Sequence, residues 1–283
     1  MDTMPGKLAQ APCHKLPTPC GAHVFARALQ RHGVELMFGQ SLPSALYLVA
    51  PEFGIRQIAY RTENAGAAMA DGYARVSRKV GVVTGQNGPA AALLVSGLSE
   101  ALKASIPIVA IVQDVRRTQT DKNAFQELDH FDLFRGCSKW VRRVSQMSRI
   151  DDYVDMAFVA AASGRPGPAV LLCPQDLLLE PTAAGAGEVR RENLGRCPLD
   201  RSVADPACIE KAAQLLANAA HPLLVAGGGV HMSGAHSELA HLQEATGIPV
   251  ATTSMGKGAV DERHPLSVGV IGYFMGARSI GKH

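Results

Sequence analysis

The chain of 283 residues is too long for one small domain and suits one or two. Apolar residues make up 47% and charged residues 19%, which excludes a disordered chain and suits an α/β protein with a substantial core. The net charge of +3 is thinly spread, with Lys and Arg never in runs longer than a pair, so no nucleic-acid partner is expected.

Residues 1–20 carry four prolines and no periodicity and read as a flexible tail. Helical and strand patterns then alternate: helix 21–33, strand 34–38 ending in Gly39, helix 42–49, strand 55–60, helix 63–76, strand 80–84, helix 89–103 and strand 106–113. Such alternation predicts an α/β fold with a doubly wound parallel sheet. A polar stretch, 114–143, precedes an amphipathic helix over 151–163 and a last strand that closes a first domain at 21–180. Residues 181–205, rich in Pro, Gly, Ala and charge, read as a linker. A partial, Rossmann-like unit over 206–283 follows, with helix 206–220, strand 222–226, helix 233–246 and strand 248–252.

The six cysteines (13, 20, 137, 173, 197, 208) form no CxxC pair, and Cys13, His14 and Cys20 fit no familiar zinc spacing, so no metal site is expected. No signal peptide or membrane span is evident, and the expectation is a cytoplasmic protein.

Three segments could carry chemistry. Arg61-Thr-Glu63-Asn-Ala-Gly-Ala-Ala-Met-Ala-Asp71-Gly72-Tyr73-Ala-Arg75 sets one carboxylate before a run of small residues, which lets helices approach closely and exclude water. Taken alone, Glu63 reads rather as a carboxylate stabilised by its helix dipole. Asp71 to Arg75 reads as structural, with Gly72 supplying a helix end. Gln86, Asn87, Gly88 and Pro89 follow a buried strand; their backbone amides suit a ligand, or an ordinary strand-to-helix turn. Gly227, Gly228 and Gly229 could meet a dinucleotide's phosphates, but lack a full GxGxxG, so a plain turn is as good a reading.

Together the first two segments resemble the pyrimidine-binding domain of thiamine-diphosphate enzymes of the acetolactate synthase type. That resemblance covers about residues 21–283. It implies that Glu63 acts on the pyrimidine N1′, so that the cofactor's own nitrogen removes the thiazolium proton. It implies that Gln86 to Pro89 frame the cofactor, although acetolactate synthases carry Ser-Gly-Pro-Gly there. Phe125, Gln126 and Lys139 resemble the Ala-Phe-Gln-Glu segment and later lysine of that family, implying a substrate pocket with Ser41 and Leu42. On its own the Phe125-Gln126-Glu127 tripeptide is a solvated loop face. Gly39-Gln-Ser-Leu-Pro43 replaces a usual Pro-Gly-Gly turn and Thr62 a usual His, which opens the substrate's identity. FAD is a further candidate at Gly227 to Gly229 and Thr252 to Gly258.

The family binds diphosphate and Mg2+ through Gly-Asp-Gly followed by Asn, in a third domain. Gly-Asp-Gly is absent from this sequence. The expectation is therefore an N-terminal fragment, inactive alone, of a carboligase that transfers a two-carbon unit between 2-keto acids in branched-chain amino acid biosynthesis. Its partners would be a second copy (homodimer or homotetramer) or a chain supplying the diphosphate domain, with residues 64–74 at the contact. Alternatives are a sulfoacetaldehyde acetyltransferase-like enzyme, a 2-keto-acid decarboxylase, or a non-catalytic interaction module.

Overall fold

The computed structural model describes residue 16 and residues 19–182 and 190–272. Most of the expected tail, including Cys13 and His14, lies outside the described residues. In chain order the first unit holds α1 (Gly21–Arg31), β1 (Leu36–Phe38), α2 (Ser44–Val49), β2 (Arg56–Ile58), α3 (Glu63–Ser77), β3 (Gly81–Gly85) and α4 (Pro89–Ala104). It continues with β4 (Ile108–Asp114), α5 (His130–Arg135), β5 (Trp140–Arg143), α6 (Ile150–Ala162), β6 (Pro168–Pro174) and α7 (Gln175–Leu179).

Its six strands form one sheet in the order β2-β1-β3-β4-β6-β5, parallel throughout. The pleat sends alternate residues to opposite faces. Val82, Val109, Ile111, Ala169 and Leu171 pack with α1, α2, α6 and α7, while Val83, Ala110, Val112, Val170 and Leu172 pack with α3, α4 and α5. The sheet is doubly wound, as its near-continuous apolar strands require. Fully buried Phe25 and Phe158 on one face and Phe134 on the other each contribute about 1.5–3 kcal/mol of burial.

The polar stretch 114–143 hides α5 and β5. Trp140-Val-Arg-Arg pairs only with β6 at the sheet edge and no residue in it is fully buried, so it lacks the apolar run of an inner strand. Gly72 is not a helix end: α3 runs on to Ser77 and stops at Arg78, whose φ is 55°.

Residues 190–199 of the expected linker are packed on the first unit. Leu194 and Cys197 are buried, Val80 donates to the Gly195 carbonyl, and Asn193 donates to that of Arg31. Gly195 sits so close that a Cβ there would stand 2.3 Å from the His32 carbonyl oxygen.

The second unit holds α8 (Pro206–Asn218), β7 (Leu224–Ala226), α9 (Gly229–Ser233), α10 (His236–Thr246), β8 (Val250–Thr253) and β9 (Ser267–Ile271). Its strands are parallel in the order β7-β8-β9. β9 escapes a sequence reading because its half-exposed residues give no apolar run. Among the described residues no helix is long and apolar enough to cross a membrane.

Candidate active site

From β1 the chain crosses to β2 on one side and then to β3 on the other, so the strand order reverses between β1 and β3. In open α/β sheets ligands bind outside the carboxyl ends of strands at such a reversal. Three connections leave the sheet there: 39–43 after β1, 59–62 after β2 and 86–88 after β3.

Side chains lock these connections together. Gln40 Nε2 donates to the carbonyls of Tyr60 (3.2 Å) and Arg61 (2.9 Å). The buried Tyr60 hydroxyl donates to the Thr84 carbonyl at 2.7 Å, joining the approach to α3 to the end of β3. Burial, with the Glu63 carboxylate nearby, pushes the Tyr60 phenol up, so it stays a donor at any ordinary pH. Its ring lies on Gly66, where a Cβ would stand 2.3 Å from Cδ1. Ser41 is exposed and Leu42 half-buried on the same rim.

Glu63 opens α3 and is half-buried. Among the described residues no hydrogen bond or ion pair occupies its carboxylate. The small residues behind it serve packing within this chain. A Cβ on Gly97 of α4 would meet Ala67 Cβ at 2.5 Å, and one on Gly81 of β3 would meet the Ala70 carbonyl oxygen at 2.3 Å. Gly66, Ala67, Ala70, Asp71 and Ala74 thus face this chain's own core, while Asn64, Ala68 and Gly72 are exposed.

The turn after β3 is clamped to the loop before α5. Asn87 Nδ2 donates to the carbonyls of Phe125 and Gln126, both at 3.0 Å. Gly88 has φ +65°, and a Cβ there would stand 2.7 Å from the Gln126 carbonyl oxygen, so only glycine suits it. The Gly88 N–H donates to His130 Nε2 at 3.0 Å. On the other side of the ring, His130 Nδ1 stands 3.3 Å from Asp114 Oδ1, and Arg143 Nε donates to Asp114 Oδ2 at 2.6 Å. Burial would push the Asp114 carboxyl up, but His130, Arg143 and the Val115 amide together hold it below its ordinary value.

Gln126 has φ 56°, and its Oε1 is buried with no partner. Glu127 folds its loop by accepting from the amides of Asp121 (2.7 Å) and Ala124 (2.9 Å). Phe125 is left 79% exposed. Gly88, Pro89, Ala92, Gln126, Glu127 and Leu128 line an open pocket of about 270 Å³.

Lys139 is not brought to this rim. It precedes β5 at the opposite end of the sheet, and its Nζ donates to the Ala160 (2.6 Å) and Ser163 (3.0 Å) carbonyls at the end of α6. Gly227, Gly228 and Gly229 lie at the end of β7 in the second unit, where Gly227 and Gly229 line a groove of about 380 Å³ with mostly apolar walls. Tyr60, Asp114, His130 and Arg143 are the residues that sequence reading missed. Asp114 at the end of the apolar strand 106–113 was the one available signal.

Residues 20–133 match the family described as thiamine pyrophosphate enzyme, N-terminal TPP binding domain, and residues 209–280 match thiamine pyrophosphate enzyme, central domain. The chain belongs to the thiamine pyrophosphate enzymes. It is 40% identical over 261 residues to an acetolactate synthase of Arthrospira platensis, covering 89% of this chain and 44% of that one. It is 37% identical over 256 residues to a probable acetolactate synthase large subunit of Methanococcus aeolicus, covering 89% and 42%. A sulfoacetaldehyde acetyltransferase of Alcaligenes xylosoxydans xylosoxydans is 35% identical over 263 residues, covering 92% and 42%. The chain thus spans less than half the length of these relatives.

The residues present suit the ring that the family name implies. A flat, amino-bearing heterocycle needs acceptors, an approachable backbone and an apolar wall. The rim offers the uncommitted Glu63 carboxylate, the orphaned Gln126 Oε1, the Gly88 turn, and Ala92 with Leu128. Among the described residues no group of three His, Cys, Asp or Glu could hold a metal ion.

Proposed function

We propose that the chain is the pyrimidine-binding part of a thiamine-diphosphate carboligase of the acetolactate synthase type, acting on 2-keto acids. The observation that supports this is the 86–89 turn clamped to Gln126 at the strand-order reversal, with a buried amide oxygen there lacking a partner, and with Glu63 at the head of α3 after the neighbouring connection. When bound, the cofactor supplies the carbanion chemistry that breaks and makes carbon–carbon bonds. The chain's own residues orient and tune it. Glu63 holds a proton at the pyrimidine ring, Gln126 Oε1 accepts from the ring's amino group, and the Gly88 backbone approaches its edge. Ser41, Leu42 and Phe125 line the substrate's approach. Lys139, capping α6, has no part in this reading.

Diphosphate and Mg2+ are assigned to a domain supplied by another polypeptide, so the smallest active unit pairs two chains. For FAD, the groove at Gly227 and Gly229 offers an apolar wall and no cation among its lining residues, so no step is routed through it. Flavin absorbance surviving Glu63→Gln would assign FAD there.

The test supplies thiamine diphosphate, Mg2+ and a polypeptide carrying the diphosphate domain, then follows pyruvate. Acetolactate is expected, with Glu63→Gln lowering kcat about 10²–10⁴-fold, the range of a positioned proton-transfer group. Full turnover in that variant would sink the assignment. The acetyltransferase relative makes sulfoacetaldehyde the second substrate to try; turnover of it without acetolactate would move the assignment to that class.

A further inference from the structure

We propose that His130 is a positioning residue whose neutral form holds the Gly88 turn of the ring site and whose protonation releases it. The inference deepens the reading above and rests on it for the ligand, but the clamp itself is a property of this chain.

The Gly88 N–H points at His130 Nε2, at 3.0 Å and out of solvent. An amide can donate only to a nitrogen with a free lone pair, so Nε2 carries no proton and the ring's one proton sits on Nδ1. That proton faces Asp114 Oδ1 at 3.3 Å. Asp114 is itself held by Arg143 Nε at 2.6 Å and by the Val115 amide at 2.9 Å, and is 1% exposed. The amide thus fixes one tautomer of a ring with no exposure, stacked on Phe134 at 6.5 Å, while Asp114 lies at ion-pair distance from Nδ1 without a hydrogen bond to it.

A second proton would place an N–H donor 3.0 Å from the Gly88 N–H donor, and the two would repel. Arg143 faces the same Asp114 carboxylate from its other oxygen. Cys173 of β6 and Glu127 of the preceding loop interact with Asp114, and Asp129 and Asp132 lie on or beside α5. The turn cannot shift quietly, because Gly88 lies against the Gln126 backbone and Asn87 is bonded to the same strip. Losing the His130 bond therefore disturbs the turn and the orphaned Gln126 amide together. Ring affinity should fall as pH drops far enough to protonate His130.

The test is nuclear magnetic resonance of the isotope-labelled 283-residue chain, with thiamine diphosphate, Mg2+ and an unlabelled polypeptide carrying the diphosphate domain added. A through-hydrogen-bond coupling between the Gly88 nitrogen and His130 Nε2 is expected. Solvent exchange of the Gly88 amide should rise in step with His130 protonation. His130→Gln, whose amide oxygen can stand where Nε2 stands, should keep that amide protected across the same pH range. His130→Phe should lose protection at every pH and weaken thiamine diphosphate binding at least tenfold. A Gly88 amide whose exchange ignores His130 protonation would overturn the clamp, as would His130→Phe binding the ligand as tightly as the parent. If exchange follows His130 while the parent never binds thiamine diphosphate even with the diphosphate domain and Mg2+ present, the clamp stands and the cofactor reading falls.

Discussion

At the scale of single residues, the candidate site is built by groups that sequence patterning ranks low. Glu63 was singled out by the family resemblance of its fifteen-residue segment rather than by its own pattern. Tyr60 was not, because a tyrosine at a strand end carries no pattern until its hydroxyl is seen on the Thr84 carbonyl and its ring on Gly66. Tyr60→Phe leaves that carbonyl short of its donor and should cost roughly 1–3 kcal/mol, read as a lower urea midpoint. A second residue predicts a pH response. Burial holds the His32 imidazole below its ordinary 6.5, against the opposing pull of Asp155 at 2.7 Å. A histidine kept neutral by folding takes up its proton more readily in the unfolded chain. Its contribution is therefore complete above about pH 6.5 and declines as pH falls below that value. Urea midpoints measured across that interval should fall with pH, and His32→Gln should flatten the slope.

At the scale of elements, apolar runs gave away the inner strands and the edge strands β2 and β7, and left the edge strands β5 and β9 unseen. β3, β4 and β6 are buried along their whole length and announce themselves; β5 and β9 each have one covered side and do not. Lys139, which the family resemblance grouped with Phe125, stands instead just before the edge strand β5, at the end of the sheet opposite the 86–88 turn. The small-residue run of α3 was legible as a close-packing device, though not as one used largely within the chain. Gly97→Ala tests that use. The added methyl meets Ala67 Cβ at 2.5 Å on a paired helix, and overpacking of this kind costs about 1–3 kcal/mol. Thermal unfolding should shift down accordingly, whereas Gly72→Ala, with open space around it, should not lower the midpoint.

Over the whole molecule the two units differ in how much of themselves they bury. Every residue of β4 and β6 is buried, while α8 has no buried residue and β7 only Ala226. Local opening free energy follows buried contact, so hydrogen exchange should be fast in α8 and β7 and slow in β4 and β6 of the same sample. Comparable protection in both sets would contradict this. The division into two units was legible from composition, but the fate of the intervening segment was not. Its polar residues are there to make ion pairs: Arg190 bonds Asp152 at 2.6 Å, beside Arg31 on Asp151 at 2.6 Å.

That segment acts as a strap rather than a tether. With 190–199 fastened across α1 and α6, slack in the backbone begins only after Leu199, which donates to the Ala162 carbonyl at 3.1 Å. Residues 201–205, all exposed and without regular structure, are the stretch left to serve as a pivot. Five residues reach at most about 18 Å when fully extended, so the start of α8 stays close to the strap.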